Sequence, residues 1–203
     1  MAAQSIQGIL SEMEKTISAL GRYEGTIPFA GEEGKAFDTL LNRLRAARES
    51  VDRETAAWRA TAQARKNDEK TAARLYAAVR LQLEAHYDAT DAPELAEFLH
   101  TSPNATDTVD EWLEDLEKMS RGLTAHQGEL SFASARLPEL ADAMAALRAA
   151  IGETASREAA KRAAVVKWET AKADYKTARS SLRRKLQAHF GNRRDARMGE
   201  FFD

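Results

Sequence analysis

From residue 37 to residue 86, apolar and mixed side chains recur at alternating steps of four and three. The positions hold Phe37, Leu41, Leu44, Arg48, Val51, Thr55, Trp58, Ala62, Arg65, Glu69, Ala72, Tyr76, Val79, Leu83 and His86. The same frame returns later as Leu140, Met144, Leu147, Ile151, Thr154, Glu158, Lys161, Val165, Trp168, Lys172, Tyr175, Arg179, Leu182, Leu186 and His189. Steps of this kind put side chains on one stripe of an α-helix. The pattern predicts two very long helical stretches, 35–87 and 137–190, whose apolar members pack as a helix seam. The ends of each stripe are apolar and the middle is mixed. Two forms of each stretch remain open. One is a continuous helix, with Gly152 a candidate bend in the second. The other folds back near 50–54 or 66–70 and yields compact three-helix bundles.

The two runs are offset by 103 positions, and so is the rest of the chain. "MEKTISALGRYEG" (13–25) aligns with "LEKMSRGLTAHQG" (116–128), and "GTIPFAG" (25–31) with "GELSFAS" (128–134). His86 aligns with His189 and Phe98 with Phe201. Self-similarity at a fixed offset marks an internal duplication. The expected organisation is two tandem helical repeats, 1–103 and 104–203, packed together as one structural unit. Each copy has a first helix (5–22 and 107–125), a Gly-containing loop, the long stretch and a short closing element. "TSPNATD" between them reads as a turn and a new helix start, with Asp107 or Thr108 as cap. Pro138 is expected in the first turn of the second long helix. The fold class that follows is all-α: an elongated antiparallel bundle or coiled coil. Trp58 aligns with Lys161 and Trp168 with Arg65. A homodimer that was duplicated and then specialised its halves would show such exchanges.

Composition changes the picture little. The 203 residues carry a net charge of −2, so no global field favours a nucleic acid or a membrane surface. No cysteine is present, which removes disulfides and thiolate chemistry and fits a cytoplasmic protein. The opening "MAAQSIQGILSEMEKT" lacks the pattern of a signal peptide, and no stretch is apolar enough to predict a membrane span.

Candidate chemistry is sparse. His86 and His189 are expected to pack at helix ends, where a cationic ring suits the helix dipole. His100 and His126 have no counterparts and read as surface residues. A di-iron bundle needs repeated Glu-x-x-His pairs on facing helices, and Glu97 to His100 is a single pair in a short element. Phosphate loops, dinucleotide fingerprints and nucleophile elbows do not occur. No catalytic residue, cofactor or metal ligand is therefore expected.

One charge feature is uneven. Lys176, Arg179, Arg183, Arg184, Lys185, Arg193, Arg194 and Arg197 stand against a single acid, while the aligned stretch 73–94 is acidic on balance. Such a segment suits nucleic-acid phosphates or anionic lipid headgroups. The plainer reading pairs it with the acidic run "DTVDEWLEDLE" (107–117).

Tyr87, Ala92, Pro93, Glu94, Leu95 and Phe98 resemble the closing motif of uncharacterised bacterial tandem-repeat helical-bundle proteins. In those, a long Ala/Arg-rich helix ends in an aromatic–Gly pair, then Asp-Ser-Pro-Glu-Leu and Phe-Gly-Phe. The second copy keeps Phe190, Gly191 and Phe201 but loses Pro-Glu-Leu, and both copies lack the last Gly-Phe. The resemblance implies no activity. The functional expectation is a non-enzymatic helical scaffold or protein-interaction protein, partnered by itself or another helical protein. Binding of an anionic partner through 176–197 is the alternative.

Overall fold

The computed structural model describes residues 6–88, 93–99, 108–191 and 196–202. The protein is all-α, with no strand among the described residues. The elements are α1 (Ile6–Arg22), α2 (Ala30–His86), a 3-10 turn at Pro93–Glu97, α3 (Val109–Ala125) and α4 (Ala133–Phe190). A second 3-10 turn at Ala196–Met198 and a last short helix, α5 (Gly199–Phe202), close the chain.

Each long stretch is one uninterrupted helix, of 57 residues in α2 and 58 in α4, so neither folds back. Gly152 lies within α4 and does not end it. Both helices start earlier than periodicity predicts. In α2 the start at Ala30 takes in Gly31 and Gly34, with Glu32 and Glu33 in the first turn. Those carboxylates favour the positive helix start and offset the weak propensity of glycine. In α4 the start at Ala133 puts Pro138 in the second turn rather than the first. Its missing N–H leaves the Ser134 carbonyl without a helical donor, at a residue that is exposed to solvent. Both helices stop on a left-handed residue, Asp88 at φ 52° and Gly191 at φ 70°. The Gly191 N–H closes α4 on the Gln187 carbonyl at 3.0 Å.

The chain forms two compact units, and their boundaries differ from the expected 1–103 and 104–203. The first joins Met1–Thr55 with Ala160–Asp203, and the second is Ala56–Ala159. Each thus combines part of the first 103 residues with part of the rest, because helices as long as α2 and α4 contribute different ends to different cores.

In the first unit, Phe37, Leu41, Leu44, Trp168, Tyr175, Leu182 and Leu186 are buried together with Met13, Leu20, Ile27 and Phe201. Phe37 meets Tyr175 edge-on at 6.4 Å. Glu33 pairs with Lys185, and Arg43 bonds Asp174 at 2.9 Å. The Thr16 hydroxyl donates to the Phe201 carbonyl at 2.7 Å, and Tyr23 donates to Glu200 at 3.1 Å. Glu14 pairs with Arg45.

In the second unit, Val79, Leu83, Leu140 and Leu147 are buried with Leu95, Phe98, Leu116, Met119, Leu123 and Leu130, and half-buried Tyr76 packs against them. Tyr76 meets Trp112 at 5.8 Å. Arg136 bonds Gln82 at 2.9 Å, and Glu117 pairs with Arg148. Gly122 lies under Phe98, where an added β-carbon would fall 2.5 Å from a ring carbon. Trp58 is half-buried and belongs to neither core.

The heptad frame slips at one place. Val165 is 38% exposed, and Ala164 takes the inward position ahead of Trp168, Ala171 and Tyr175. An average step of 3.5 residues leaves positions 164 and 165 almost equally placed relative to the seam. The small alanine turns in, and Val165 and Val166 turn out.

Candidate functional site

Most of the basic segment lies on the last four turns of α4, and the first unit's own acids and aromatic rings occupy much of it. Arg179 pairs with Glu12 of α1, and Lys185 pairs with Glu33 of α2. The Arg197 guanidinium covers Phe190 at 4.1 Å, and Arg179 and Arg183 cover Phe202 at 5.4 and 6.0 Å. Lys176 and Arg184 are exposed and make no ion pair among the described residues. Arg193 and Arg194 lie outside the described residues, as do His100 and Asp107.

The expected pairing with the acidic run 107–117 is corrected by these partners. The run belongs to the second unit and is engaged there: Glu117 with Arg148, and Glu111 in the cap of α3. Asp115 is buried, and its charge helps to raise the Tyr76 phenol, after burial itself. The acids that do meet Arg179 and Lys185 sit more than 150 residues earlier in the chain, on α1 and α2, and carry no local signature.

Beside Arg179, a cavity of about 320 Å³ opens between α1 and α4. Ile9, Lys172, Tyr175, Lys176, Arg179 and Ser180 line it. Residues 172, 176 and 180 fall four apart, so one helix face presents two ammonium groups and a hydroxyl in a row. Lys172 pairs with Glu169 at 2.8 Å and lies 5.5 Å over the Trp168 ring. Tyr175 is 3% exposed. Burial first, and then the Glu12 carboxylate, push its phenol well above the ordinary value, while Arg179 acts the other way. The hydroxyl lies within hydrogen-bonding reach of both Glu12 and Arg179, which pair with each other beside it. The periodicity singled out Lys172, Tyr175 and Arg179 as stripe positions, and the charge excess marked Lys176 and Arg179 as candidates for an anionic partner. Ile9 and Ser180 carried no signal, because α1 supplies one wall and its register against α4 is a tertiary fact.

The histidines divide differently from the expectation. His86 and His189 are exposed in the last turns of α2 and α4, with ring contacts to Tyr87 at 4.9 Å and Phe190 at 5.2 Å. His126 is not a plain surface residue. Its ring bridges Glu97 at 2.8 Å and Glu129 at 3.1 Å, and lies 5.3 Å from Phe98. The hydrogen bond to Glu97, then that to Glu129, raises its pKa above the ordinary 6.5. Among the described residues, no group of three potential metal ligands comes together. No described helix is long and apolar enough to cross a membrane.

A second hollow in the first unit, about 460 Å³, runs between α2 and α4. Ala46, Ala47, Val166 and Ala171 form its apolar surface, with Arg43, Ser50, Lys167 and Thr170 around them. Val166 is 64% exposed.

Fold and sites together define an all-α protein with a basic, tyrosine-backed cavity and an apolar helix groove. No protein-family model, curated protein or solved structure matches the chain.

Proposed function

We propose that this protein is a non-enzymatic helical scaffold that acts by protein–protein interaction, built from two tandem copies of one helical repeat of about 103 residues. The copy reading is supported by contacts that recur at the same offset. Glu14–Arg45 recurs as Glu117–Arg148, and Lys185–Glu33 as Gln82–Arg136. Tyr23–Glu200 recurs as His126–Glu97, and the ring pair Tyr23–Phe201 as His126–Phe98. Each first helix therefore meets the closing element of the other copy. Such an exchange of closing elements is what a duplicated and joined homodimer would leave. The partners of α2 fall in number along α4 as its own numbers rise, from Glu33–Lys185 to Arg43–Asp174. This supports antiparallel packing of the long helices.

The observation that carries the interaction reading is the groove at Val166. An exposed β-branched side chain beside a floor of alanines gives a second helix both an anchor and room for close approach. Arg43 and Lys167 at the rim favour a helix flanked by carboxylates, and Arg43 already holds Asp174 in this way. The occupant we assign is a helix of a second copy of this chain.

The chain has no cysteine, so Val166→Cys provides a unique attachment point for a spin label. Over a concentration series, the label is expected to lose mobility as light scattering shows association, and Ala46→Glu, at an exposed position of the groove, is expected to abolish both. A label that stays mobile on a chain monomeric at every concentration overturns the reading.

A further inference from the structure

We propose that the cavity between α1 and α4 is a binding site for a small molecule bearing an oxyanion, phosphate or carboxylate. The site is distinct from the groove at Val166 and does not depend on the scaffold reading.

Charge is the first argument. Lys172, Lys176 and Arg179 converge on one cavity of about 320 Å³. Two carboxylates answer them: Glu169 holds Lys172, and Glu12 holds Arg179. Lys176 is left with no ion pair among the described residues. Like charges four residues apart on a helix, as at 172 and 176, oppose its formation. Glu169 and the Trp168 ring offset this for Lys172 but not for Lys176, whose excess charge a bound anion neutralises.

Hydrogen bonding is the second. The Ser180 hydroxyl stands one turn beyond Lys176 on the same face. Behind it the buried Tyr175 hydroxyl bonds with Glu12 and Arg179 and fixes the two charged groups at the back of the cavity. Ile9 supplies an apolar wall for the body of a ligand. The volume sits at the small end of the range of about 300–1,000 Å³ for ligand pockets.

The third argument comes from the other unit. The residues 103 positions from the lining are Trp112, Glu69, Ala72, Ala73, Tyr76 and Ala77. Cations are absent from that set, and Tyr76 and Trp112 pack edge-on at 5.8 Å. The second unit thus carries aromatic rings where the first has a cationic cavity. Arg179 joins α4 to α1 through Glu12, but Lys172 and Lys176 make no ion pair with α1 among the described residues.

The test uses the full chain with inorganic phosphate, pyrophosphate and citrate as probes, at ionic strength matched with chloride. A saturable rise in melting temperature over the chloride control is expected with at least one probe, with broadening of the phosphorus resonance for the two phosphates. Free phosphate alone acting marks an inorganic-anion site. Pyrophosphate or citrate acting more strongly marks a larger ligand, and either outcome supports an oxyanion site. Lys172→Gln with Lys176→Gln should weaken binding by about tenfold or more, from the loss of two charge-assisted contacts. Arg184→Gln, outside the cavity, should leave it unchanged. No saturable shift or broadening with any probe overturns the proposal. So does equal loss in Arg184→Gln, which would reduce the effect to general surface charge.

Discussion

His126 and Tyr23 occupy matching places and answer to pH differently. Each holds a glutamate of a closing element, Glu97 and Glu200, and each ring lies against a buried phenylalanine. His126 has a folded pKa raised above 6.5 by Glu97 and Glu129, with burial opposing. Its contribution to stability is therefore complete below the unfolded value near 6.5 and is lost as pH rises through the folded value. Tyr23 has a phenol raised above 10.0, mainly by burial, and keeps its proton throughout that window. Melting temperatures from pH 5.5 upward to pH 8.5 are thus expected to fall more in the wild type than in His126→Tyr, which copies the other unit's contact. Equal slopes would remove His126 as the cause. The sequence shows a histidine at 126 and a tyrosine at 23, but not the glutamates that reach them. Those lie 29 and 177 residues away along the chain.

At the scale of elements, local chemistry was readable where it acts over a few residues. "TVDE" at 108–111 is a capping box, and both reciprocal bonds are present: the Thr108 hydroxyl accepts from the Glu111 N–H, and Glu111 accepts from the Thr108 N–H at 2.9 Å. Thr108 rather than Asp107 is the residue in this role. Replacing Thr108 by Ala should cost about 1 kcal/mol in urea unfolding, and replacing it by Ser should cost little. A Thr108→Ala midpoint equal to the wild type would show that α3 is held by packing alone. Helix starts were less legible. The loop-like glycines of 25–34 are partly helical because buried Ala30 and Phe37 hold that turn in place. The slip at Val165 has the same origin, since a spacing rule does not weigh alanine against valine for closeness of approach.

For the whole molecule, the two cores share no residue, and a fully buried phenylalanine of a closing element enters each, Phe201 in one and Phe98 in the other. Truncating either to alanine is expected to cost about 3–5 kcal/mol through lost burial and the cavity left behind. If the cores are energetically separate, the double variant's cost equals the sum of the single costs to within about 0.5 kcal/mol. Chemical denaturation of the four proteins checks this. A large deviation would show one cooperative core instead. Exposed pairs such as Glu14–Arg45 and Glu117–Arg148 contribute little beside these rings, since solvent screens them.

All-helical character, the two long stripes, the α3 cap and the sparseness of catalytic motifs are written in residues one to four turns apart, where periodicity and capping act. Helix continuity, the units' boundaries, the partners of Arg179 and Lys185, the bridge at His126 and the cavity over Tyr175 came from packing. Each depends on which faces of distant helices meet, and burial of the whole apolar surface sets that, not any short stretch of chain.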